Sequence, residues 1–114
     1  MLSQDFRLRK KQEVATVFKR GKSFSSPEIT LRFLPNSLPN SRIAVLVGVK
    51  LDKRAVVRNR IKRRLREVAR LNFSSIPSGL DLLIIARAIK LREIPLPELN
   101  NKFLQLVRNL KLKS

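Results

Sequence analysis

The chain has 114 residues and a formal net charge of +18, from 26 lysines and arginines against eight acidic residues. That length holds one domain with one modest core, and an apolar content of 43% excludes a wholly disordered chain. Without cysteine or histidine, the chain lacks disulfides, thiolates, the usual zinc ligands and an imidazole base.

In chain order, residues 1–5 lack the apolar core of a secretory signal. No apolar run approaches the roughly 20 residues needed to cross a bilayer. We therefore expect a soluble, cytoplasmic protein without a membrane partner. Residues 12–20 predict a short helix, because Val14, Val17 and Phe18 share a face. Gly21 is its predicted C-terminal cap.

Two strands are predicted next. Residues 28–34 alternate between apolar and polar side chains, which is typical of a half-buried strand. Residues 35–41, rich in proline, asparagine and serine, predict a turn. Residues 43–49 predict a second strand, antiparallel to the first. The inward positions are Ile29, Leu31 and Phe33 in the first strand and Val45, Val47 and Val49 in the second.

Residues 54–72 predict a long basic helix, with Asp52 as a candidate N-cap. Residues 50–70 carry ten basic and two acidic side chains, so this part of the chain supplies +8 of the +18. At 1.5 Å per residue the helix is roughly 25 to 30 Å long, enough to follow several phosphates. Its apolar stripe consists of Val57, Ile61, Leu65 and Val68.

Residues 82–86 form a continuous apolar run, typical of a strand covered on both faces. Residues 97–111 predict a last helix. The sequence therefore predicts an α+β fold of order α-β-β-α-β-α, with one small mixed sheet packed against helices and a βαβ crossover through the basic helix. The buried stripe of the last helix is Leu99, Phe103, Leu106, Val107 and Leu110.

The polar side of the basic helix favours a polyanion site over a solvated face. A solubility face mixes signs, but here Glu67 is the only acid from Arg58 to Arg70. A strand precedes this helix instead of a helix-turn-helix partner, which favours an RNA surface over a DNA major groove. The predicted RNA-binding residues are Arg58, Asn59, Arg60, Lys62, Arg63, Arg66 and Arg70.

Four segments, in the same order as in a known family, carry a resemblance. The segment VVRNRIKRRLRE at residues 56–67 resembles the signature of the protein component of bacterial ribonuclease P. The segments RLRKK at 7–11 and VFKRG at 17–21 are similar to the family's N-terminal part, and DLLIIAR at 81–87 to its last strand.

The resemblance implies a subunit of a ribonucleoprotein that removes the 5′ leader from precursor tRNA by magnesium-dependent hydrolysis. Its partners would be the catalytic RNA and precursor tRNA, with no obligate protein partner. The RNA would cut and would hold most of the Mg²⁺, so the protein would have no catalytic or metal-ligating residue. The matched cations of the basic helix would face the catalytic RNA near the cleavage site. The family fold also implies a left-handed crossover, against the usual rule.

The resemblance further implies a central cleft for the single-stranded leader, in which Phe18 stacks on a base and nearby cations hold phosphates. Core packing of Phe18 is an equal alternative. Val14 and Arg32 stand where the family often has aromatic residues, which predicts poorer stacking and more reliance on charge. Arg64 stands at a usually apolar position and is expected to extend outward. The predicted cleft residues are Val14, Phe18, Thr30, Arg32 and Lys50.

Two other functions remain open on the residues alone. A structural RNA-binding protein, such as a ribosomal protein, would share the basic helix but needs no single-strand groove beside it. A membrane-active cationic protein fits less well, because the basic helix has a narrow apolar stripe without aromatic residues.

Overall fold

The computed structural model describes residues 6–113, with side chains described as far as Leu110. The predicted α+β architecture is confirmed, with one strand more than expected. None of the described helices is long and apolar enough to cross a lipid bilayer. The elements are α1 (Lys11–Arg20), β1 (Lys22–Ser25), β2 (Ile29–Pro35), β3 (Arg42–Leu46), α2 (Ala55–Leu71), β4 (Leu80–Ala86) and α3 (Leu96–Lys113), with short 3₁₀ turns at Phe73–Ser75 and Ile89–Arg92.

The four strands form one mixed sheet in the order β1-β2-β4-β3. β2 pairs antiparallel with both β1 and β4, whereas β3 pairs parallel with β4, with Val45 opposite Ile84. The prediction that the second strand lies antiparallel to the first is confirmed in direction, because β3 runs parallel to β4 and β4 runs antiparallel to β2. The two strands do not pair with each other, since β4 lies between them. The apolar run of β4 accounts for this placement, because a strand buried on both faces belongs inside the sheet.

The parallel pair of β3 and β4 is joined through α2, which confirms the predicted βαβ crossover. Its handedness stays a prediction. The strand itself is shorter than the pattern indicated: β3 ends at Leu46, Val47 is still buried, and Val49 is 62% exposed in the turn that follows.

The sheet separates two apolar layers of unequal size. One face of the sheet packs against α2 and α3 in the main core, which includes Leu31, Ile84, Leu65 and Phe103. Opposite to it lies a small cluster in which Val17 of α1 meets Leu8 and Leu83. Because Val17 is the only fully buried residue of α1, this helix is attached to the sheet through a small contact.

Gly21 ends α1 as predicted, and its N–H donates to the Val17 carbonyl at 2.8 Å. A Cβ atom here would lie 2.5 Å from the Val17 carbonyl oxygen and 2.9 Å from that of Phe33. Since its φ is −71°, Gly21 is required by this close approach to β2 and not by a left-handed backbone.

Candidate nucleic-acid interface

A groove runs along β3, the strand at one edge of the described sheet, between α1 and α2. It consists of three adjoining cavities of about 320, 460 and 370 Å³, all of which include Leu46. Val14 and Phe18 of α1 line it on one side, while residues 43–48 form its floor. The groove therefore has an apolar floor that follows the sheet edge.

Phe18 is 54% exposed and lines two of the three cavities. Of the two alternatives for this ring, the structure thus supports a groove wall and not core packing. The guanidinium carbon of Arg32 lies 5.6 Å from the ring centroid, within the range of a cation–π contact. The Nη2 of Arg32 also donates to the Gly21 carbonyl at 2.9 Å, so Arg32 ties the C-terminal end of α1 to β2.

Lys62 and Arg66 of α2 line the opposite side of the groove, at different ends. They are four residues apart and so project from the same face of the helix. Arg9, Lys11 and Lys19 add cations on the α1 side. Both rims of the apolar groove are therefore positively charged.

The flank of α2 that faces away from the groove is bound to the protein itself. Arg60 donates its Nε to the Arg92 carbonyl at 2.9 Å, and Arg64 donates its Nη2 to the Ile94 carbonyl. The expectation that Arg64 extends outward is wrong, because a backbone acceptor lies within its reach. The Nε of Arg64 is buried without a hydrogen-bond partner among the described atoms.

The start of α2 differs from the prediction for Asp52. Arg54 occupies the N-cap position and has no side-chain cap, while Asp52 accepts the Arg54 backbone N–H at 2.8 Å. The side-chain hydrogen bond from Arg54, with that backbone N–H, lowers the pKa of Asp52 to about 2. Arg58 donates to the carbonyls of Asp52 and Lys53 at 3.0 and 2.8 Å, so it stabilises this turn.

The outward face of α2 carries the remaining predicted residues. Asn59 and Arg63 are exposed. Arg70 is exposed as well but forms an ion pair with Glu67, three residues earlier. The fan of seven predicted RNA-binding residues thus divides into groove-lining, internally bonded and outward-facing members.

Three predicted cleft residues do not line the groove. Thr30 is buried, and its hydroxyl lies 2.9 Å from that of Ser25 on β1, a strand that the sequence did not predict. Arg32 contacts the Phe18 ring but lines none of the three cavities. Lys50 is exposed in the turn after β3. The cations Arg9 and Lys11 were missed as groove residues, although both belong to the RLRKK segment.

Acidic side chains in the described part of the chain are mostly engaged in ion pairs. Arg42 binds the carboxylates of Glu13 and Asp81, and Glu28 is buried between two lysine ammonium groups. No three side chains of the types that ligate metals come together within the described residues. This donor set does not fit a protein-held Mg²⁺ ion, which prefers free carboxylates with water.

A comparison with protein families matches residues 2–111 to the family described as Ribonuclease P. The ribonuclease P protein component of Natranaerobius thermophilus is 37% identical over 111 residues, which cover 97% of this chain and 95% of the relative. The ribonuclease P protein component of Petrotoga mobilis is 36% identical over 108 residues, which cover 92% of this chain and 91% of the relative.

Solved structures agree with the sequence comparisons. The RNase P protein of Thermotoga maritima matches with a TM-score of 0.81 at 30% identity, over 90% of this chain and 96% of that one. The RNase P protein of Staphylococcus aureus matches with a TM-score of 0.78 at 25% identity, over 93% of this chain and 95% of that one. The likeness therefore extends over nearly the whole fold.

Proposed function

From the premise that this chain belongs to the ribonuclease P protein family, we propose how its surfaces divide the binding of RNA. The chain is the protein component of the endoribonuclease that processes precursor tRNA, and it works with the RNA subunit of that enzyme. The groove along β3 holds the single-stranded 5′ leader. The outward face of α2 contacts the catalytic RNA.

The observation that carries the leader proposal is the exposed Phe18 ring in an apolar groove with cations on both rims. Single-stranded nucleic acids bind such surfaces by stacking bases on aromatic rings while cations neutralise the phosphates. In this arrangement Phe18 and Val14 contact bases, and Lys62 and Arg66 hold the backbone. Arg32 acts through Phe18, and Lys50 extends the positive charge beyond the floor.

The catalytic RNA contacts the rest of the basic face. Asn59 and Arg63 support this assignment most directly, because their exposed side chains point away from the protein. Arginine suits the task, since its planar group pairs with two phosphate oxygens at once. Arg58, Arg60 and Arg70 complete the surface, although their guanidinium groups also bond within the protein.

Ribonuclease P is magnesium-dependent as a class, and we propose that the RNA subunit holds most of the Mg²⁺. The engaged carboxylates of the described residues support this assignment. The chain then contributes binding and orientation: it holds the leader on one side and the catalytic RNA on the other. We further propose that residues 1–114 act as one RNA-binding domain in the cytoplasm, where bacterial precursor tRNA is made.

The proposal is tested by the affinity of the reconstituted holoenzyme for precursor tRNAs that differ only in leader length. Affinity should rise with each added leader nucleotide until the groove is filled and then level off. A structural RNA-binding protein without a processing role, which the comparisons do not favour, would give the same affinity for every leader length. That result would contradict the assignment of the groove.

A further inference from the structure

One guanidinium group joins α1 to the sheet. Arg42, the first residue of β3, donates its Nε and Nη2 to the two carboxylate oxygens of Asp81 on β4, at 2.9 and 2.8 Å. The same group donates its Nη1 and Nη2 to the carboxylate of Glu13 on α1, at 3.3 and 3.1 Å. Asn36 donates to Asp81 from the other side, at 2.9 Å.

This network is well shielded. The side chains of Arg42 and Asp81 are 20% and 10% exposed, and that of Glu13 is 33% exposed. The hydrogen bond to Asp81 raises the pKa of Arg42. Burial lowers this pKa by a smaller amount, and the hydrogen bond to Glu13 raises it further. Arg42 therefore stays charged, and both carboxylates keep their partner at neutral pH.

The ion pair between Arg42 and Glu13 affects the orientation of α1, the helix that carries Phe18. At 3.6 residues per turn, successive residues are separated by about 100° around a helix. The buried Val17 then lies between Glu13 on one flank and Phe18 on the other. Because Val17 is the only fully buried residue of α1, rotation of the helix about its own axis is resisted mainly by contacts on its flanks.

We propose that Glu13 is a positioning residue: through Arg42 it fixes the rotation of α1 on the sheet and thereby the angle at which Phe18 faces the leader. This inference rests on the proposed function of the groove. Arg32 holds the other end of the helix at Gly21, so the two arginines fix α1 from both ends. Glu13 itself touches no RNA in this arrangement.

The direction in which Glu13→Gln changes leader affinity distinguishes a positioning role of Glu13 from a simple effect of charge. Glu13 does not line the groove but precedes Val14, which does. Glu13→Gln removes a negative charge near a bound polyanion and by charge alone would strengthen leader binding. Loss of the ion pair instead lets Phe18 turn away from the base. Arg42→Lys keeps the net charge but loses the paired hydrogen bonds, and it should weaken leader binding as well.

The experiment measures holoenzyme affinity for precursor tRNA with a long leader and for the same tRNA without a leader. Glu13→Gln should weaken binding of the long-leader substrate about three- to tenfold, the loss expected when a stacked base is partly released. Affinity for the leaderless tRNA should not change. Glu98→Gln makes the same change of charge in the first turn of α3 and should leave both affinities near those of the wild type.

Urea unfolding shows whether each variant is folded, and Arg42→Lys repeats the test without a change of charge. The proposal is overturned if both variants bind the long leader as tightly as the wild type, or if Glu13→Gln binds it more tightly. An equal loss with and without a leader also overturns it, because that pattern indicates general damage. If the wild type itself gains nothing from a leader, the proposed function of the groove fails instead.

Discussion

Replacing Phe18 by alanine separates the proposed function of this ring from its structural role. Because Phe18 is 54% exposed, about half of its surface is already in water. Full burial of a phenylalanine is worth about 1.5–3 kcal/mol, so the half-buried ring contributes about 1 kcal/mol. The cation–π contact with Arg32 adds roughly 0.5–1 kcal/mol. The free energy of unfolding should therefore fall by about 1–2 kcal/mol, less than the 3–5 kcal/mol typical of a core phenylalanine.

The effect on RNA should be larger and selective. One base stacked on an aromatic ring is worth about 1–3 kcal/mol, which corresponds to roughly 5- to 150-fold in affinity. Binding of the long-leader precursor by the holoenzyme should weaken by that factor, while binding of leaderless tRNA should not. Phe18→Tyr keeps the ring and should behave like the wild type.

Leu96→Ala serves as the matched control, because Leu96 is a partly exposed apolar residue outside the groove. It should leave leader binding unchanged. If Phe18→Ala unfolds like a core variant, or if it binds the long leader as well as the wild type does, the reasoning about this ring is refuted.

Arg63→Ala should weaken RNA association and lower its salt dependence by about one charge. Arg64→Ala should keep the salt dependence but lose about 1–3 kcal/mol of unfolding free energy, because the partly buried Ile94 carbonyl loses its donor. Equal salt slopes for the two variants would contradict this division. Gly21→Ala should lower the unfolding free energy by about 1–3 kcal/mol, since the new Cβ meets two carbonyl oxygens, and a more stable variant in urea would refute that reason. Burial raises the pKa of Glu28, but two lysine ammonium groups outweigh it and hold this pKa below 4.5. The folded pKa is thus below the unfolded one, so Glu28 contributes stability above pH 4.5 that is lost as the pH falls through the folded pKa. In urea unfolding from pH 7 to 3, the Glu28→Gln protein should lose less unfolding free energy than the wild type as the pH falls. The same pH dependence in both proteins would argue against this ion pair.

Local patterns were sufficient to predict most elements of the fold. The stripes of α2 and α3 have helical spacing, and the alternation of β2 and the apolar run of β4 both predict strands. β1 has no such pattern, because the strand has only four residues and three of them are polar. It is a strand since it pairs with β2, where Phe24 stacks on Phe33 with centroids 5.7 Å apart.

The site was predictable in its charges but not in its internal contacts. The motif and the helical spacing identify Phe18, Lys62 and Arg66 as RNA-binding candidates. The sequence assigns Lys62 and Arg66 to the catalytic RNA, however, and does not predict that they line the groove. By contrast, Arg64 bonds to a residue 30 positions away, and Thr30 is covered by β1. Such partners are set by tertiary packing, which a single sequence does not display. The same applies to the Arg42 network, which joins three elements that are distant in the chain.

The most direct test of the whole account is cleavage of precursor tRNA by the catalytic RNA at low magnesium, with and without this protein. If the protein holds the leader and the catalytic RNA together, its addition should raise the rate of cleavage at the mature 5′ end. The Phe18→Ala protein should raise it less on a long-leader substrate. An unchanged rate on addition of the wild-type protein would contradict the account.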